Sequence, residues 1–400
     1  VTVQGEGRRR AAEVLTLLAF ATAACGHQRP VPPITAQQSY GRFEPVVEYL
    51  RSQVDSAFPG AVIAVGGRDG VKLLAAVGHY GVDDSRPVTP QTIYDLASLT
   101  KVIGLTTAAM MLVDSGKLDL DAPVQRYVPA FQGANKERVT IRHLLTHSSG
   151  LPAWRPLYAE TKTREEALTL VDTTALLRQP GDTFVYSDLG AIVLTQAIEA
   201  ITAQRLDDFL YGRLFGPLEM SSTRFLPPEA WRERIAPTEN DTSFRHRLLH
   251  AEVHDENAGR LGGVSGHAGL FSSAPDLAKF AAWLLWFRID DPNRYCGPPA
   301  PCLRRETVRL FTTRQNIPPG SSRALGWDTP SENSSAGTKM GPNAFGHTGF
   351  TGTSIWLDPD RSLFIILLTN RVNPTRANTK IFQVRRRVAD LVNDALTPPQ

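Results

Sequence analysis

Two strand-like pairs at opposite ends of the chain restrict its fold more than any other feature. Near the start, Ala61 to Val65 and Val71 to Val77 flank Gly66-Gly67-Arg68-Asp69-Gly70, which has hairpin chemistry. Near the end, Thr353 to Leu357 and Leu363 to Leu368 flank Asp358-Pro359-Asp360-Arg361 in the same way. The sequence between them is largely helical in pattern, with long polar loops and no internal repeat. Two distant hairpins can share one sheet. The economical architecture is therefore α/β (α+β): an antiparallel β-sheet flanked by helices, with a mainly helical lobe, roughly residues 120–300, inserted into it. An amphipathic segment from Phe43 to Phe58 carries Val46, Val47, Leu50, Val54 and Phe58 at helical spacing, and a helix from about Asn378 to Leu396 closes the chain.

The first 24 residues read as an export signal. Arg8, Arg9 and Arg10 form a basic region, Val14 to Ala24 is a short apolar run, and Ala23 and Ala24 precede Cys25. Thr22-Ala23-Ala24-Cys25-Gly26 is similar to a bacterial lipobox, which implies acylation of Cys25 and attachment of the chain to an envelope membrane. A cleaved soluble form and a differently placed start are the alternatives. Residues 25–40 are rich in proline and suit a tether, leaving 41–400 as the folded domain. In an oxidising compartment Cys296 and Cys302 can pair across Gly297-Pro298-Pro299-Ala300-Pro301, or stand as two thiols. With 21% charged residues and a net charge of +3, nothing points to a nucleic-acid partner.

The strongest local signal is Tyr94-Asp95-Leu96-Ala97-Ser98-Leu99-Thr100-Lys101, which leads into the apolar helix Val102 to Val113 and a stop at Asp114-Ser115-Gly116. Residues three apart share a helix face, so the Lys101 amine can reach the Ser98 hydroxyl. A serine hydroxyl becomes nucleophilic only when a neighbouring group takes its proton. Ser-x-x-Lys alone is weak, since an N-cap serine and a solvated lysine satisfy it equally.

Two further motifs follow in order: Tyr186-Ser187-Asp188 and Gly346-His347-Thr348-Gly349. With them the chain resembles the serine β-lactamase and penicillin-binding protein family, closest to class C β-lactamases, D,D-peptidases and related esterases. The resemblance runs from about Phe43 to Leu396 and includes Val139 to Pro152 and Leu261 to Phe271. It implies a β-lactamase/transpeptidase-like fold with Ser98 as nucleophile and Lys101 and Tyr186 sharing the proton work. It also implies an oxyanion hole made by the amides of Ser98 and Phe350, and a substrate strand at His347, Thr348 and Gly349. No cofactor is implied. A phenol, with an ordinary pKa of about 10, needs nearby positive charge to act as a base, which Lys101 can supply.

Two positions depart from the family pattern. Asp188 stands where asparagine is usual; as a carboxylate it pairs with Lys101, either shifting the base role toward Tyr186 or merely orienting the lysine. His347 replaces the lysine of Lys-Thr-Gly, and a mostly neutral imidazole holds a substrate carboxylate less well. Efficient β-lactam turnover is thereby disfavoured.

His246, His250 and His254 recur every four residues, but the residues between them do not establish a helix, so a polar loop near the cleft is expected and no metal. Gly263-Val264-Ser265-Gly266-His267 fails the nucleophile-elbow pattern and reads as cleft-lining backbone. His143 and His147 read as structural histidines. The expectation is an exported, membrane-tethered serine hydrolase cleaving an ester or amide in a small molecule or cell-wall peptide. A D,D-carboxypeptidase, penicillin-binding protein or β-lactamase is the alternative, and a non-catalytic envelope binding protein is the third.

Overall fold

The computed structural model describes residues 40–288, 301–332 and 334–397. The signal region, Cys25, the tether and Cys296 lie outside these residues. The chain opens with α1 (Glu44–Gln53) and the hairpin β1 (Gly60–Gly67) and β2 (Gly70–Gly81), followed by β3 (Asp84–Pro87) and β4 (Ile93–Asp95). A long buried helix, α2 (Ala97–Asp114), follows. The helical part then runs through α3 (Ile141–Leu145), α4 (Leu157–Glu160), α5 (Arg164–Thr173), α6 (Asp188–Thr202) and α7 (Leu206–Leu210). Short strands β5 (Arg224–Phe225), β6 (Asn240–Asp241) and β7 (Arg247–Leu248) precede α8 (Glu256–Arg260), β8 (Leu270–Ser273), α9 (Ala274–Arg288) and α10 (Arg305–Thr312). The second hairpin, β10 (Ser354–Asp358) and β11 (Leu363–Thr369), is preceded by β9 (Phe345–Thr348) and followed by α11 (Ile381–Leu396).

The two hairpins join as expected. Six strands form one antiparallel sheet in the order β3-β2-β1-β11-β10-β9, with Ala61 opposite Thr369 and Gly66 opposite Phe364 at the seam. Alternation along β1 and β11 divides the core, because successive side chains in a strand point to opposite faces. Ala61, Ile63, Val65, Ile365 and Leu367 meet α1 and α11 on one face, through Val46, Leu50, Val384 and Val388. Val62, Ala64, Phe364, Ile366 and Leu368 meet α2 and α9 on the other, among Val102, Ile103, Phe280 and Leu284. Helix α2 thus lies in the core between sheet and helical part, and its first turn emerges beside the edge strand β9.

Candidate active site

The turn from β4 into α2 is held in an uncommon shape. Ala97 adopts a left-handed conformation, φ 46°, which costs a residue with a Cβ and persists only where its surroundings enforce it. Buried Asp95 does so: Oδ1 accepts the Ala97 amide at 2.7 Å and Oδ2 accepts the His254 amide at 2.7 Å. Burial pushes this carboxyl upward against the pull of those hydrogen bonds. The loop after β9 is fastened to the same turn, with Thr351 Oγ1 donating to the Asp95 carbonyl and Thr353 Oγ1 to that of Leu96. Helix α2 starts as a 3₁₀ turn over Ala97–Leu99 and widens to a π-helix over Lys101–Thr106. Irregular turns of this kind recur at functional sites.

Lys101 Nζ lies 3.0 Å from Ser98 Oγ, 2.9 Å from the His267 carbonyl and 2.7 Å from Asp188 Oδ1. The Asp188 contact is a close ion pair without the angular alignment of a good hydrogen bond. Burial works against the lysine's charge, but Asp188 and Tyr186 outweigh it and hold Lys101 above its ordinary value. An ammonium has three N–H groups and no lone pair, and three acceptors face this one. Lys101 can therefore donate to Ser98 but cannot take its proton.

Tyr186 is the aromatic ring beside this cation. Lys101 Nζ is 5.0 Å from its ring centre and the Arg323 guanidinium 5.5 Å. The His147 ring is tilted against it at 4.5 Å and that of His347 at 5.9 Å. His147 Nδ1 accepts the Ser187 amide, while His347 Nδ1 donates to the Thr348 carbonyl at 2.8 Å. Burial, reinforced by Arg323 and Lys101, pushes both imidazoles well below their ordinary value, so both are neutral near pH 7. His147, read from the sequence as structural, thus stacks on the site's phenol.

The remaining predicted residues complete the cleft. Gly349 has no room for a Cβ against the Leu96 carbonyl and Thr353 Oγ1, so the loop after β9 presses directly on the turn before Ser98. Arg385, fully buried and pushed down to about 9 by burial and by Arg371, ties the Gly349 and Thr353 carbonyls together. The Phe350 amide makes no hydrogen bond among the described residues, and the Ser98 amide lies in the first turn of α2, where the helix end leaves N–H groups available. Two such donors are what an oxyanion requires. The Phe350 ring, 48% exposed, covers His254 at 5.7 Å and is backed by Arg371.

Several contributors carried no motif. Arg323 sits in a polar loop, and Asp95 and Arg385 differ from surface charges only in their burial. Beneath Lys101, His267 bridges Asp255 Oδ1 at 2.9 Å and Ser265 Oγ at 2.7 Å, fixing the carbonyl that the lysine uses. His250 bonds the Arg232 and Ile235 carbonyls, whereas His254 bonds Glu239, so these two histidines brace separate loops.

The beta-lactamase family profile matches residues 44–390. The chain belongs to the beta-lactamase family. It is 29% identical to a Salmonella typhi protein named "Putative D-alanyl-D-alanine carboxypeptidase", across 91% of this chain and 92% of that one. In fold it is similar to EstCE1, described as a hydrolase with promiscuous acyltransferase activity, at TM-score 0.68 and 21% identity over 87% of this chain and 97% of EstCE1. A penicillin-binding protein homologue from Caulobacter crescentus aligns at TM-score 0.70 and 18% identity, over 88% of this chain and 97% of that one. This member of the beta-lactamase family is a serine hydrolase.

Proposed function

We propose that this hydrolase cleaves peptides that end in a carboxylate, of the D-alanyl-D-alanine type, through an acyl-enzyme on Ser98. Ser98 Oγ attacks the scissile carbonyl as its proton passes to Tyr186, which enters the step as a phenoxide and leaves it as a phenol, and the oxyanion forms against the Ser98 and Phe350 amides. Tyr186 then protonates the departing amine as the C–N bond breaks.

The observation that carries the substrate class is Arg323. His347 is neutral and Lys101 is neutralised by Asp188, yet a cation still faces the cleft. The Arg323 guanidinium lies over Phe184 and Tyr186 and is only loosely paired with Asp328, at 3.8 Å, with Nη1 buried and unbonded. Guanidinium is well matched to a carboxylate. The Salmonella relative's name agrees with this reading. Its test compares an acyl-D-Ala-D-Ala peptide with the same peptide amidated at its C-terminus. The wild type is expected to favour the free acid, and Arg323→Met to lose that preference through a rise in KM of about tenfold or more. Equal turnover of acid and amide by the wild type would remove the carboxylate from the account.

A small-ester substrate is the second reading, favoured by the exposed rings of Phe350, Phe184 and Trp154. The same proposal places the enzyme outside the cytoplasm, tethered through acylated Cys25, with Cys296 and Cys302 paired. The basic and apolar run before Cys25 supports export.

A further inference from the structure

Among the described residues Arg385 is a buried cation with no anion beside it. It projects from the second turn of α11, only 4% exposed, and one guanidinium nitrogen donates to two backbone carbonyls, Gly349 at 2.6 Å and Thr353 at 2.9 Å. Its Nε is buried and unbonded, and the charged neighbour acting on it is a second cation, Arg371. A buried charge is costly unless an opposite charge offsets it, and an apolar side chain of similar length would pack α11 against this loop without that cost. A group kept at such a cost calls for a use.

The Gly349 carbonyl belongs to the same peptide unit as the Phe350 amide. That peptide is trans, so its C=O and N–H point in opposite directions. With the carbonyl drawn inward to Arg385, the Phe350 N–H faces away from α11, where it finds no partner among the described residues. The loop that carries it is fastened to the turn presenting Ser98, because Thr351 and Thr353 on one side and the close approach of Gly349 on the other all meet the Asp95 and Leu96 carbonyls. Arg371 Nε holds the Phe350 carbonyl at 2.8 Å, so both peptides flanking Phe350 carry a guanidinium on their oxygen.

We propose that Arg385 is the positioning residue of the oxyanion hole: it aims the Phe350 N–H at the cleft and polarises the peptide to which that N–H belongs. This rests on the Ser98 acyl-enzyme reading, with the Phe350 amide as one donor. A hydrogen bond from a cation to the Gly349 oxygen draws electron density toward that oxygen and leaves the N–H more positive. When Ser98 Oγ bonds to the acyl carbon, negative charge gathers on the acyl oxygen, and a donor already aimed and polarised stabilises it without reorganising. The cation lies one peptide unit behind that charge, where burial leaves their attraction poorly screened.

The test follows hydrolysis of p-nitrophenyl acetate and inhibition by phenylboronic acid, which becomes a tetrahedral anion on a serine oxygen. It uses the full chain as wild type, Arg385→Met, Arg385→Gln, Arg385→Lys and Ser98→Ala. Removing an oxyanion donor outright costs about 100- to 1000-fold in kcat, and losing the group that aims and polarises it is expected to cost about tenfold or more in Arg385→Met. KM is expected to hold within about twofold, since the ground-state ester makes little use of the hole, while Ki for the boronic acid rises by the factor that kcat loses. Arg385→Lys, which keeps the charge, is expected to stand closer to wild type than Arg385→Gln, which keeps a donor without the charge. A fall in kcat with Ki unchanged, a rise in KM with kcat unchanged, or wild-type kinetics in Arg385→Gln would overturn the proposal and leave Arg385 as a brace for the loop. Should Arg385→Met not fold, the lysine and glutamine variants decide: equal kcat and equal Ki in the two contradict a role for the charge. Turnover and boronic acid binding that persist unchanged in Ser98→Ala would instead defeat the acyl-enzyme reading, whatever the Arg385 variants show.

Discussion

Asp95 Oδ1 accepts the amide of Ala97 at 2.7 Å and so holds the residue before Ser98 in its left-handed conformation. The other carboxylate oxygen anchors His254, which makes Asp95 the joint between the nucleophile's turn and the loop beneath Phe350. Asp95→Asn turns one acceptor into a donor facing an amide, and an unsatisfied buried group costs about 1–3 kcal/mol. The expected result is a lower melting temperature together with a fall in kcat larger than the change in KM. Unchanged kinetics would show that the turn holds its shape without this carboxylate.

Gly349→Ala tests the contact between the loop after β9 and the turn before Ser98. A Cβ there meets the Leu96 carbonyl and Thr353 Oγ1, and overpacking of this kind costs about 1–3 kcal/mol. Thermal unfolding is expected to register that loss, and Ser98 acylation to slow, because the strand must retreat from the turn that presents the nucleophile.

Glu239 gives the fold a specific acid sensitivity. Burial alone would raise its carboxyl, but hydrogen bonds from His254 and Arg376 hold it at about 2, against an ordinary 4.5. A carboxyl depressed by folding contributes stability above its unfolded value and loses it as pH falls through the folded one. The wild type is therefore expected to lose stability between pH 4.5 and 2, and Glu239→Gln to show a flatter dependence across that window. Parallel melting curves for the two proteins would contradict this.

The large features were legible in the sequence because they rest on local patterns. Hairpin glycines marked β1–β2, apolar runs flanking Asp358-Pro359-Asp360-Arg361 marked β10–β11, and the Ser98–Lys101 spacing survives even though α2 begins as 3₁₀ and π turns. Boundaries moved where tertiary contacts decide them: the first helix ends at Gln53 rather than Phe58, and α11 begins at Ile381. Arg323 and the Asp255–His267 pair were not legible, since only the folded chain brings residue 323 to Tyr186 and residue 255 beneath Lys101. The packing of His147 on the Tyr186 ring was not legible either, because burial and stacking leave no trace in spacing.

His347→Lys should restore a cation beside Thr348. Labelling by a fluorescent penicillin is expected to rise about tenfold or more, as a charge-assisted contact to the drug's carboxylate is gained. Arg323→Met in the same background should lower that labelling, because Arg323 holds the carboxylate in this reading, and a further rise would contradict that role.

The central claim is covalent chemistry at Ser98. Intact-protein mass spectrometry after incubation with a fluorophosphonate, followed by peptide mapping, tests it most directly. One adduct per chain is expected on the peptide containing Ser98, and none in Ser98→Ala. An adduct on another residue, or equal labelling of both proteins, would contradict it.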